Sequence, residues 1–60
     1  MTEVKFFLKS RISELERDIN YFLNKNSNRI EVIDIKYNFI ANKYLDVLAF
    51  SAMIIYKNKE

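Results

Sequence analysis

The 60-residue sequence predicts an α+β fold of strand, helix, strand and strand: a three-stranded sheet carrying one amphipathic helix on one face. Three patterns predict it. Residues 44–57 alternate with a two-residue period yet are apolar on both faces. Leu48, Phe50, Ala52, Ile54 and Tyr56 lie on one face, and Leu45, Val47, Ala49, Met53 and Ile55 on the other. Ile12, Leu15, Ile19, Phe22 and Leu23 recur at spacings of three and four, the stripe of a helix resting on a core. Ile33, Ile35, Tyr37 and Phe39 recur at every second position, the mark of a half-buried strand.

Taken in order, residues 4–8 (Val-Lys-Phe-Phe-Leu) read as a short first strand, because Ser10 then offers a helix N-cap. Ser13 with Glu16 offers an alternative capping box. The helix runs from Ser10 to about Asn24, with Arg11, Glu14, Arg17 and Asp18 off its apolar stripe and Glu14 three residues from Arg17, in pairing range. Residues 24–28 (Asn-Lys-Asn-Ser-Asn) end it, since asparagine tolerates the left-handed conformation common at helix ends. Residues 29–40 return to strand, with Ile30, Val32, Asp34, Lys36 and Asn38 on the mixed second face. Residues 41–43 are short enough to close a hairpin, with Asn42 at positive φ.

The last strand governs the rest. Its apolar run, 47–56, is too short for the ~20 residues of a membrane-spanning helix, and Asp46 and Lys57 close it. Its aromatic and β-branched content favours strand over buried helix. Apolar on both faces, it belongs in the middle of its sheet.

A chain this short makes one small domain and buries only ~60% of the surface its unfolded form exposes. With no cysteine and no histidine, neither a disulfide nor the common zinc spacings can staple it. Half its residues are hydrophobic, and one helix covers one face of a sheet. A homodimer is therefore expected, by face-to-face pairing of two sheets through the face of Leu48, Phe50, Ala52, Ile54 and Tyr56, with edge-to-edge pairing of strands as the other route. A net charge of +2 creates no nucleic-acid footprint by itself. Nothing near Met1 resembles a secretory leader, and a cytoplasmic protein is expected.

Chemistry is sparse. Without His or Cys the common general base, the thiol nucleophile and most transition-metal sites are excluded, and no cofactor is implied. Asp34 and Asp46, on neighbouring strands, could form a carboxylate pair; the simpler reading is a solvated Asp34–Lys36 strand face. Ser51, within the apolar strand, reads as a hydrogen-bonded packing residue. Tyr37, Tyr44 and Tyr56 interleave with Lys36, Lys43 and Lys57, a composition that can stack bases and hold phosphates or rim a protein interface. Lys36, Tyr37, Lys43 and Tyr44 are taken as the surface for a partner or ligand.

Val4-Lys5, Leu15-Glu16, Asp18-Ile19-Asn20, Phe22-Leu23, Ile33-Asp34-Ile35-Lys36-Tyr37 and Phe50-Ser51-Ala52-Met53-Ile54-Ile55-Tyr56 resemble a family of sporulation-associated proteins of similar length from Bacillus-type bacteria. The last two segments are the most specific. The resemblance implies no reaction and no catalytic residues. Small proteins of this kind are also carried by phages, and the chain is similar to the small Hachiman anti-defence inhibitors. It departs from the family at residues 8–12 (Leu-Lys-Ser-Arg-Ile), where the family pattern is acidic. The expectation is a non-enzymatic homodimer that modulates or inhibits a host protein, with sequestration of a nucleotide or nucleic acid, or an uncharacterised sporulation-associated structural protein, as the alternatives.

Overall fold

Apolar residues at alternate positions of residues 30–42, and on both faces of residues 47–58, make these two segments long strands that pair antiparallel, and the N-terminal apolar run adds a third strand to them. In a computed structural model describing residues 1–42 and 47–59, the elements are β1 (Thr2–Lys9), α1 (Ile12–Lys25), β2 (Ile30–Asn42) and β3 (Val47–Asn58). The sheet order is β1-β3-β2, every neighbouring pair antiparallel. The strand that is apolar on both faces is thus the central one. β1 and β2 run parallel to each other on either side of it, joined through α1.

α1 packs against β1 and β3. Leu15, Phe7, Ala52 and Ile54 form the buried core, with Ile19, Phe22, Leu23, Phe50 and Tyr56 packed around it. Phe22 meets Phe7 edge-on at 6.0 Å between ring centroids and lies tilted against Tyr56 at 5.6 Å. Edge-to-face pairs of this kind add ~0.5–1.5 kcal/mol beyond the area they bury.

A bulge between Val32 and Asp34 changes the reading of β2. Strict alternation would set Ile30 and Val32 opposite to Ile35, Tyr37 and Phe39. One extra residue, Ile33, reverses the phase. Ile30 and Val32 therefore share the helix side with Ile35, Tyr37 and Phe39, opposite Asn58, Tyr56, Ile54, Ala52 and Phe50 of β3. Ile30 is buried as a result. Asp34, Lys36 and Asn38 lie on the helix-free side.

Both helix ends differ from expectation. Arg11, not Ser10, is the N-cap, in extended conformation and with no side-chain cap bond; Ser13 is already inside the helix, so no capping box forms. At the other end Asn26 has φ −109°, outside the left-handed region. Its Nδ2 donates to the Phe22 carbonyl at 2.8 Å, and its backbone N–H reaches the same oxygen at 3.1 Å. The side chain thus supplies the closure that a positive φ would otherwise give. Arg17 lies 3.5 Å from Asp18 instead of pairing with Glu14. Ala41 and Asn42 belong to β2, where Asn42 pairs with Val47, so the connection does not close at residues 41–43.

Candidate interaction surfaces

The largest correction concerns the face expected to form the dimer. Ala52 and Ile54 are fully buried beneath α1, and Phe50 and Tyr56 pack around the same core. Only Leu48, beyond the helix, is exposed. In a single chain that face is already occupied, so the unpartnered surface is the opposite one.

On the helix-free side Val4, Phe6 and Leu8 of β1 are all more than half exposed; Phe6 stands at 60%. Beside them run Ile55, Met53, Ser51 and Ala49 of β3, and then Asp34, Lys36, Asn38 and Ile40 of β2. A 190 Å³ depression opens here among Phe6, Lys36, Asn38, Ser51 and Met53. Ser51 is buried at its floor, with Oγ 3.5 Å from the Asn38 carbonyl, which suits a packing residue.

The second open surface is on the helix side. α1 leans over β1 and β3 and leaves β2 uncovered. Ile35, Tyr37 and Phe39 therefore form an apolar shelf beside the helix, and Tyr37 is 63% exposed. Phe39 stacks obliquely on Phe50 at 5.0 Å, which joins the shelf to the core.

The proposed tyrosine and lysine surface is not one patch. Lys36 and Tyr37 project to opposite faces, Tyr56 is under the helix, and Lys57 pairs with Glu31 at 3.2 Å. Lys43 and Tyr44 lie outside the described residues. So does Asp46, the second member of the carboxylate pair. Asp34 itself accepts from the Ile35 N–H at 2.8 Å and sits 3.3 Å from the Lys36 ammonium, as the solvated-face reading expects.

The patterns above did not point to a cleft of 380 Å³ between α1 and β1, lined by Lys5, Phe7, Asp18, Tyr21, Phe22, Lys25 and Asn26. Lys5 stands over the Phe7 ring at 5.8 Å and Lys25 over Tyr21 at 5.5 Å. The sequence signal was there: Lys5 and Phe7 two apart on a strand, Tyr21 and Lys25 four apart on a helix. At its margin Lys9 Nζ lies 2.9 Å from Asp18. That hydrogen bond is the main cause holding the Asp18 carboxyl below its ordinary range; the charges of Lys9 and Arg17 act in the same direction against partial desolvation.

Taken together, one amphipathic helix on a three-stranded antiparallel sheet, with apolar surface left open on both sides, defines a small α+β protein whose features are surfaces more than pockets. The chain belongs to the family described as sporulation protein Cse60, whose model matches residues 1–58. No curated protein and no solved structure matches it significantly. Among the described residues, no helix is long and apolar enough to cross a membrane.

Proposed function

We propose that this Cse60-family chain is a non-catalytic homodimer that acts by binding a protein partner and altering its activity. The observation that carries the reading is the shelf of Ile35, Tyr37 and Phe39, three large side chains exposed side by side where α1 does not reach. Aromatic anchors of low conformational freedom are what protein-binding surfaces use at their centres. The test is capture from lysate of sporulating cells with tagged protein, beside a Tyr37→Ser/Phe39→Ser variant. A stoichiometric partner retained by the parent and lost by the variant is expected. Equal capture by both would remove the shelf from the mechanism. A partner belonging to an anti-phage defence system would support the narrower reading of the chain as a phage-encoded inhibitor.

A second reading, sequestration of a nucleotide, is favoured by the cleft that sets Lys5 and Lys25 beside Tyr21 and Phe7. Asp18 and the helix C-terminus oppose an anion there. Thermal shift across a nucleotide panel decides it: unchanged melting at millimolar ligand discards sequestration.

A further inference from the structure

Resting on the homodimer reading, we infer that a second copy of this chain covers the helix-free face, in one register set by its own charges. The four levels that all three strands share on that face are the basis; Ala49 and Ile40 extend it by one further level on β3 and β2 alone. Along the strands, same-face residues follow each other at ~6.7 Å. The ladder aligns Val4, Ile55 and Asp34 at one level and Phe6, Met53 and Lys36 at the next. Outside these two, Thr2, Lys57 and Glu31 form one outer three-stranded level, and Leu8, Ser51 and Asn38 the other.

A two-fold axis lying between two stacked sheets and crossing the strands midway through these four levels matches each level with a different one. A two-fold interface must be self-complementary, and this one is. Phe6 meets Val4 of the copy, and Met53 meets Ile55, which buries the exposed row of β1. On β2, the Lys36–Asp34 pair of one chain, 3.3 Å apart, faces the reversed pair of the copy, so that each Lys36 lies against the copy's Asp34 and the four charges alternate in sign. At the ends Glu31 faces Asn38, whose Oδ1 is taken by the Phe39 N–H at 2.9 Å, leaving its amide to donate outward. Shifting the axis by half a level sets Lys36 against Lys36, a like-charge contact that disfavours that register. The midpoint register is thus selected by charge, and the apolar rows agree with it. The usual tilt of about 30° between packed sheets displaces β2 by less than one level.

The experiment is sedimentation equilibrium at low salt on the full chain, with Lys36→Asp, Asp34→Lys, the double exchange and Phe6→Glu. Residues 34 and 36 are exposed, so these changes spare the fold, which circular dichroism verifies. Each single charge change should weaken the dimer about tenfold, Phe6→Glu should abolish it, and the double exchange should restore it. A monomeric parent at 100 µM would overturn both the homodimer and this register. A parent dimer indifferent to Phe6→Glu would overturn the face while leaving the homodimer standing. Dissociation by Phe6→Glu with charge variants unaffected, or a double exchange that fails to recover, would overturn the register alone.

Discussion

Replacing Ile54 by alanine tests the location of the core most directly. Ile54 is wholly shielded, at 0% exposure, on the central strand between Lys5 of β1 and Ile35 of β2, beneath α1. The change removes three carbons, worth ~0.8 kcal/mol each in transfer. The remaining cavity raises the cost to ~3–4 kcal/mol, because a site held by two flanking strands collapses poorly. A chain of 60 residues has a total stability of roughly 3–9 kcal/mol. The variant should therefore sit at the edge of unfolding, with Tm lowered by roughly 24–32 °C. Thermal circular dichroism at matched protein concentration measures it, with exposed Tyr21→Ala as a control expected within ~0.5 kcal/mol of the parent. An Ile54→Ala protein that melts near the parent but loses self-association would refute the reasoning. It would mean that Ile54 meets another chain and not the helix.

Three further outcomes follow from local geometry. Arg11→Asp should stabilise the fold by about 1 kcal/mol, seen as a higher urea midpoint, because an accepting side chain replaces a cap that makes no side-chain bond and removes a cation from the helix N-terminus. Asn26→Ala should cost about 1 kcal/mol in the same assay through loss of the 2.8 Å bond to the Phe22 carbonyl. Lys9→Met should return the Asp18 pKa toward its ordinary value of 3.8, followed by carboxyl NMR during titration. Because the folded-state value is the lower one, the parent's Asp18 contribution is present above about pH 4 and fades as pH falls through the depressed pKa; Lys9→Met should flatten that dependence.

The elements and their order follow from periodicity, and the central position of residues 47–57 follows from apolar residues on both faces of one strand. Periodicity could not decide which of those faces receives the helix. A strand apolar on both sides fits either assignment equally well. What decides is strand order together with the chirality of the β1-α1-β2 connection between parallel strands, and strand order is a long-range property that the local pattern does not carry. The helix caps depart from the pattern of capping residues for a related reason. Ser10 and Ser13 are good capping residues, but the boundary is set by where Leu15 must point to enter the core, and that fixes Arg11 as N-cap whatever its side chain offers.

The bulge gives the sharpest case of a sequence pattern with two meanings. Apolar residues at 30, 32, 33, 35, 37 and 39 contain one phase break, and a strand can resolve it by exposing Ile30 and Val32 or by absorbing Ile33. Burial of Ile30 at the sheet end and the pairing of Val32 with Tyr56 favour absorption. The two resolutions differ in what a deletion does. If Ile33 is the extra residue, removing it leaves Val32 and Ile35 on the helix side and every downstream pair in register, so the variant should fold with a nearly unchanged amide spectrum outside residues 31–35. Removing Lys36 instead leaves two phase breaks and sends Tyr37 and Phe39 to the wrong face unless the strand slips by one residue, so that variant should unfold or lose the Phe39–Phe50 contact. Matched losses of stability in both deletions would show that the ladder tolerates no length change here, and that Ile33 is held by its own packing and not by the phase of the strand.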